Sequence, residues 1–247
     1  MDETTTTQLI LLNQRFYAAF AESFSSSRSV FDPSLACILP YVPARARLLD
    51  AGCGNGRLAR ILDRERPSST YLGLDAATGL LEIAQHEAQN LAHISAQFQV
   101  ADLTEPGWSK GLPGAPFDVA VCLAVLHHIP SFERRAAVVQ EMASITKRNG
   151  ALIVSAWQFM DHPRLRRKVV PWQCAGIAPN SVDPGDYLLN WQRDGYGLRY
   201  CHLIDEREMS ALAAAAGMEV TSTYRAGGRE GDLGLYALLA HPSPPDL

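Results

Sequence analysis

What this chain lacks narrows its class. Its five cysteines, Cys37, Cys53, Cys122, Cys174 and Cys201, are scattered, odd in number and contain no C-x-x-C pair. That argues against a disulfide scaffold or a cysteine zinc ribbon and fits reduced thiols in the cytosol. No apolar run approaches the roughly 20 residues needed to cross a bilayer. The opening stretch from Met1 to Thr7 is acidic and polar, and the interrupted apolar cluster behind it does not read as a signal peptide. A cytoplasmic protein with no membrane partner is therefore expected. Basic charge is also scarce: 22 Lys and Arg stand against 26 Asp and Glu, a net charge of −4. No global positive field advertises nucleic-acid binding, so only a local patch would supply it. There is no internal repeat, and no low-complexity tract beyond the threonine run and the proline-rich last residues.

Hydrophobic residues make up 47% of the 247, enough for one large α/β domain with a real core. Leu9, Leu12, Phe16, Phe20 and Phe24 fall near helical spacing, so an amphipathic helix precedes the core and Ser25-Ser26-Ser27-Arg28 breaks it. Strands are expected at Arg47 to Ala51, Tyr71 to Leu74 and Phe98 to Asp102. Phe117 to Val125 is continuously apolar, the mark of a parallel strand buried on both faces. Helices are expected at Leu58 to Arg64, Ala77 to Leu91 and, capped by Ser131, up to Ile145. Asn149-Gly150 should end that last helix before a fifth strand, Ala151 to Trp157. The rhythm then stops: Gln158 to Leu203 carries four prolines and few periodic runs, which reads as a long irregular insertion, usually a functional lid or binding surface. It resumes with a helix from Asp205 to Ala216 and two strands, Met218 to Tyr224 and Leu233 to Ala240. The expected fold is α/β, a doubly wound, mostly parallel seven-stranded sheet. The expected division is an N-terminal helical cap, residues 1–40, and a main domain, 41–247, with a substrate-facing insertion, 158–203.

Chemistry gathers where these strands end. Strand 1 runs into Asp50 and then Gly52, Gly54 and Gly56, glycine at every second place. A second acid, Asp75, closes strand 2 nineteen residues past Gly56. Strand, glycine turn, helix and strand ending in an acid build a nucleoside pocket, in which glycines admit the ligand close to backbone and the acid holds a ribose. A dinucleotide site would want glycine at the sixth position of the loop; Arg57 stands there. Asp102 lies at the end of strand 3, placed to accept from an exocyclic amine, and Leu103 beside it offers an apolar face. Strand 4 ends in Leu126-His127-His128-Ile129. Adjacent histidines project differently and no Cys or Glu follows at ligand spacing, so no metal is expected.

This series resembles the class I S-adenosylmethionine-dependent methyltransferases, with their Rossmann-like methyltransferase fold. The resemblance implies S-adenosyl-L-methionine as cofactor. It places the cofactor on Asp50, Gly52, Cys53, Gly54, Asn55, Gly56, Asp75, Ala76, Ala101, Asp102, Leu103, Cys122, Leu123 and Ala124. Phe16-Tyr17, Phe24 to Arg28, Leu126 to Ile129 followed by Glu133-Arg134-Arg135, Ser155 to Gln158 and Leu198 to Leu203 narrow it. Together they look like the tRNA wobble-uridine carboxymethyl methyltransferase family, in which an Arg-Tyr-Tyr-His stretch opens the helix after the insertion. Here Cys201 stands for the family's second tyrosine, and Gly234-Leu235-Tyr236 falls where an Asn-Trp pair is usual.

The resemblance implies esterification of the carboxylate of 5-carboxymethyluridine. A carboxylate, with a reference pKa of roughly 4, is already a nucleophile at neutral pH. The enzyme's task is then in-line placement, a service worth about 7–11 kcal/mol. Arg28 and Arg199 are the candidate carboxylate clamps, with His128 and His202 as secondary donors. The insertion holds six basic residues against four acids. Its run Arg164-Leu165-Arg166-Arg167-Lys168, with Trp172, Tyr187, Trp191, Tyr196 and Tyr200, offers phosphate contacts and stacking surfaces, or else a solvated face and aromatics that close a small pocket. The acceptor is thus tRNA or a small-molecule acid, phenol or amine. A small activator subunit, known for the tRNA family, is a possible partner. A non-catalytic S-adenosylmethionine-binding scaffold is the alternative of another class.

Overall fold

In the computed structural model, which describes residues 1–27 and 33–242, the chain begins with a long helix, α1 (Glu3–Ser26), and a short one, α2 (Pro33–Ala36). There follow β1 (Arg47–Ala51), α3 (Arg57–Glu65), β2 (Thr70–Asp75), α4 (Thr78–Ala88), β3 (Ser95–Val100), β4 (Phe117–Leu123), α5 (Phe132–Ile145) and β5 (Thr146–Trp157). The insertion holds α6 (Pro163–Arg166), β6 (Val169–Val170), β7 (Asp186–Trp191) and β8 (Gly197–His202), and α7 (Glu206–Ala215), β9 (Glu219–Ala226) and β10 (Gly234–Ala240) close the chain. Seven strands form one sheet in the order β3-β2-β1-β4-β5-β10-β9. β1 to β5 are parallel, and β10 runs antiparallel between β5 and β9. The expected doubly wound sheet is therefore present.

Adjacent residues of a strand face opposite sides, and the burial follows that rule. Leu49, Ala51, Leu72 and Leu74 pack with Val138 and Met142 of α5 and with Met209 and Leu212 of α7. Leu48, Tyr71, Val119 and Val121 pack on the other side with Leu58 and Leu62 of α3 and Leu81 of α4. Several boundaries differ from the sequence reading, those of β3 and β5 among them. β3 ends at Val100, so Ala101 and Asp102 lie beyond the strand. β5 begins at Thr146, because Thr146 pairs with Phe117 before the register jumps to Ala151 opposite Val119, and the intervening Lys147 bonds Asp118.

The insertion is not irregular. β6, β7 and β8 form an antiparallel sheet of their own. Leu189 and Cys201 pack on Phe159, while Tyr200 packs on Leu9 and Ile177. Because both faces are covered, the alternation that betrays a half-buried strand is missing. Helix α1 is joined to this sheet by Asn13, which treats β8 as a strand partner would: its Oδ1 accepts the Tyr200 N–H at 2.8 Å and its Nδ2 donates to the Tyr200 carbonyl at 3.2 Å.

His202 closes β8 rather than opening a helix. Its Nδ1 is 2.6 Å from Asp186 Oδ1 and its Nε2 is 2.8 Å from Glu208 Oε2, in the first turn of α7. The Tyr200 hydroxyl donates to the same Asp186 oxygen at 2.7 Å, and Arg135 of α5 holds Glu208 at 2.7 Å. This buried network fastens the second sheet to the main domain. Burial alone would lower the proton affinity of His202, but its bonds to Asp186 and Glu208 prevail and the net shift is upward from 6.5. For Glu208 burial is likewise outweighed, by His202 and Arg135, and its pKa is lowered from 4.5. The histidine's contribution is therefore complete below pH 6.5 and lost as pH rises through its raised value. The glutamate's is present above 4.5 and lost as pH falls through its lowered value. Thermal melts should accordingly show a stability maximum between the two, and His202→Ala should remove the alkaline limb and cost about 3–5 kcal/mol by leaving the buried Asp186 without its cation. An unchanged alkaline limb in that variant would show that the network is not what holds the sheet.

Candidate functional site

The switch point of the strand order lies between β1 and β4, and there the carboxyl ends of the strands open onto a cavity of about 480 Å³, within the size range of small-ligand sites. The loop after β1 forms its floor. Gly52 has φ +84°, and a Cβ on it would stand 2.2 Å from Val125 Cγ2; at Gly54, φ +55°, a Cβ would meet nothing within 4 Å and project into open space. The first glycine lets the chain turn against strand 4; the second leaves its backbone bare to the cavity. Gly52→Ala should thus destabilise the fold by roughly 2–3 kcal/mol; a denaturation midpoint that does not move would mean Val125 yields freely.

Asp75 holds this loop. Its Oδ2 accepts the Gly54 N–H at 2.8 Å and its Oδ1 the Ala77 N–H at 2.8 Å. A carboxylate has about four acceptor sites, so bracing the loop is compatible with accepting ribose hydroxyls. Asp50 lies deeper, 4% exposed, with the Tyr71 hydroxyl on its Oδ2 at 2.6 Å. Burial raises its carboxyl to about 7, against the pull of Tyr71 and Arg57 and with the push of Asp75. Asp102, on the far side, accepts from Thr104 through Oδ1 and from Gln14 of α1 through Oδ2 at 2.9 Å. The Gln14 bond brings α1 across the cavity mouth.

Of the expected cofactor positions, Asp50, Gly52, Cys53, Gly54, Asn55, Asp75, Ala76, Ala101, Asp102, Leu103, Leu123 and Ala124 line the cavity. Two do not. Cys122 is wholly enclosed in the core, and Gly56 sits against Ala84 and Phe98 at the start of α3. Sequence reasoning missed α1 as a wall: Ile10, Asn13, Gln14 and Tyr17 all face the cavity. A signal existed, since Asn13 interrupts the apolar stripe between Leu9 and Phe16, and a polar residue at a core position needs a reason.

The proposed acceptor-side residues separate. Arg28 lies outside the described residues. His128 lines the cavity. Its Nδ1 is 3.0 Å from the Tyr200 carbonyl and its Nε2 is 2.8 Å from the Tyr17 hydroxyl. A carbonyl only accepts, so Nδ1 carries a proton, and in the tautomer protonated there alone Nε2 receives the Tyr17 O–H. Arg199 is 2% exposed, one side chain behind this wall. Its guanidinium carbon is 4.6 Å from the Trp157 ring centre, 5.4 Å from Phe16 and 5.8 Å from Trp191, and the Trp157 ring is 6.0 Å from His128. Its Nε and Nη1 have no hydrogen-bond partner among the described residues. His202 serves the network of the second sheet and is not among the residues that line the cavity. Of the aromatics expected to offer stacking surfaces, Tyr200 is fully buried and Trp191 is 7% exposed, so neither is available to a base.

The fold also brings together what spacing held apart. One ligand atom each from His127, His128 and Cys201 lies within 4.8 Å of the others. All three have protein roles. His127 Nδ1 accepts the Trp157 N–H at 3.3 Å, His128 Nδ1 faces the Tyr200 carbonyl, and burial pushes the Cys201 thiol up to about 12 against the pull of Arg199. A cation there would have to displace a His128 contact and ionise that thiol.

Fold and cavity define an open α/β domain with its site at the switch point of a seven-stranded sheet whose last strand is inverted. A model of the methyltransferase domain matches residues 24–223, and the chain belongs to that family. A tRNA (carboxymethyluridine(34)-5-O)-methyltransferase of Arabidopsis thaliana is 30% identical over 143 residues, 58% of this chain and 32% of the relative; the chain thus spans about a third of that relative's length. A ubiquinone biosynthesis O-methyltransferase of Paracidovorax citrulli is 28% identical over 177 residues, 72% of this chain and 65% of the relative. Among solved structures, an S-adenosylmethionine-dependent methyltransferase of Methanosarcina mazei has a TM-score of 0.66 at 19% identity, covering 84% of this chain and 98% of that one. That likeness extends the shared fold over nearly the whole neighbour. No helix among the described residues is long and apolar enough to cross a membrane.

Proposed function

We propose that this chain transfers a methyl group from S-adenosylmethionine to the carboxylate of 5-carboxymethyluridine at the wobble position of tRNA. The observation that carries the acceptor half is Arg199. A buried guanidinium framed by three aromatic rings, with Nε and Nη1 unpartnered, has among the described residues no anion that would repay its desolvation. A planar carboxylate fits its fork. The relatives named for this reaction add support. The cavity suits the cofactor: bare backbone at Gly54, Asp75 for a ribose, Asp102 and Leu103 for a purine, and Asp50 for a cationic amino-acid end. When bound, the cofactor supplies an electrophilic methyl on a sulfonium. Arg199 orients the acceptor carboxylate, and Trp157, His128 and Tyr17 keep water from it. Residues 1–40 act as a cap over the site, and an activator subunit belongs to this reading.

A second reading, a small phenol or protonated acid as acceptor, is favoured by the Tyr17–His128 pair. With Nδ1 protonated, the Tyr17 hydroxyl donates to His128 Nε2 and lines the cavity, so an acceptor's proton can pass to the Tyr17 oxygen as Tyr17 gives its own to Nε2. The deciding experiment is transfer of labelled methyl to carboxymethyluridine-bearing tRNA, to the free nucleoside and to a panel of small acids and phenols. Transfer to tRNA is expected; transfer to a small acid or phenol alone overturns the first reading in favour of the second.

The cofactor half has a pH signature. If ionised Asp50 faces the ligand's cationic end, binding requires the proton held near pH 7 to leave. The Kd for S-adenosylmethionine should then fall roughly tenfold between pH 6 and pH 8, and Asp50→Asn should flatten the profile. A flat profile in the native protein would remove Asp50 from the ammonium site.

A further inference from the structure

The insertion carries a positive surface that methyl transfer leaves unused. Arg164, Arg166 and Arg167 are exposed and Lys168 is half-buried. None of the four has an ion pair among the described residues. Three of the four acids of the insertion are engaged elsewhere: Asp161 holds Arg225 at 2.6 Å, Asp183 the ammonium of Met1 at 2.8 Å, and Asp186 bonds His202 and Tyr200; the fourth, Asp194, is exposed.

The inner end of this surface is structured. Lys168 is fixed at the sheet edge by the Asn190 N–H, which donates to its carbonyl at 2.8 Å. Its ammonium stands 5.5 Å from the Trp191 ring centre, and Arg199 stands 5.8 Å from the same centre. Two cations thus share one indole with no acid paired to either. Burial first, then the charges of Arg199 and Arg164, lower the proton affinity of Lys168, as crowding without a counter-ion should. Trp191 is too enclosed to receive a base, so the place offers charge rather than stacking. A row of cations leading inward to such a pair matches a polyanion with regularly repeated charges.

Resting on the tRNA reading above, in which Arg199 serves the acceptor carboxylate, we infer that Lys168, on Trp191, binds a phosphodiester next to the acceptor nucleotide, and that Arg164, Arg166 and Arg167 extend the contact along the nucleic-acid backbone. The test is fluorescence anisotropy with an anticodon stem-loop RNA that lacks the carboxymethyl group, over a salt series and without methyl donor. Lys168→Ala should weaken binding about five- to tenfold and flatten the salt dependence by roughly one ion, and Lys168→Arg should restore both. Arg148→Ala removes an exposed charge at the opposite end of β5 and should change neither. The inference is overturned if Lys168→Ala behaves like Arg148→Ala, or if polyglutamate of matched charge competes as well as RNA does. Lys168-dependent RNA binding without methyl transfer to carboxymethyluridine would instead defeat only the acceptor assignment.

Discussion

Asp75→Ala is expected to raise the Kd for S-adenosylmethionine at least about a hundredfold in calorimetric titration. Two losses combine. The carboxylate braces the loop through the N–H groups of Gly54 and Ala77, each at 2.8 Å, and bonds to a charged acceptor are worth about 1.5–3 kcal/mol apiece. The ribose hydroxyls lose their acceptor in the same step. At roughly 1.4 kcal/mol per decade, even half of that total exceeds two decades. The fold should feel far less, because both amides border the cavity and turn to water when the acid is gone. Asp75→Asn keeps an acceptor oxygen and should fall between. If the alanine variant bound the cofactor with unchanged affinity, neither the ribose role of Asp75 nor the cavity as the cofactor site would stand.

The contrast between Asp75 and Arg199 tells how much was legible in the sequence. The strands that carry Asp50 and Asp75 are short apolar runs buried on both faces of a parallel sheet, and their loop chemistry is local: glycine, acid and helix follow within a few dozen residues, so order along the chain already gives order in space. The second sheet was hidden because its strands are covered on both sides and joined by proline-rich turns. The cavity wall made by α1 was hidden because it depends on Gln14 meeting Asp102, 88 residues away. His202 misled for a related reason. A histidine beside an arginine in a motif reads as part of the same site, but residues next to each other on a strand face opposite sides, and so do Arg199 and Tyr200. Arg199 turns toward Trp157; His202, three positions on, turns toward Asp186 and Glu208. Only pairing registers, such as Leu189 opposite Arg199 and Asp186 opposite His202, separate the two.

Arg199→Met is expected to lower kcat/KM for the carboxylate acceptor by about 10² to 10³ while leaving the melting temperature equal or higher. The two halves follow from one fact. The guanidinium is 2% exposed, with Nε and Nη1 unpartnered among the described residues, so there its desolvation is offset by three aromatic faces, each worth about 0.5–2 kcal/mol. A buried charge without a paired acid is a net burden, and an apolar side chain of similar volume is commonly neutral or stabilising there. A bidentate guanidinium–carboxylate pair supplies two charge-assisted bonds of about 1.5–3 kcal/mol each. The lower half of that range, about 3–4 kcal/mol lost from the transition state, amounts to two to three decades of rate at roughly 1.36 kcal/mol per decade. Cofactor affinity should not move, since Arg199 is outside the cavity that Asp50, Asp75 and Asp102 line. A purely structural arginine predicts the reverse pattern: a melting temperature several degrees lower, with kcat/KM kept for whatever protein remains folded. Arg199→Lys divides the cases further, because lysine retains the charge but cannot grip a carboxylate in a fixed plane. If its rate returned to that of arginine, the positive field at this place would matter and the fork would not.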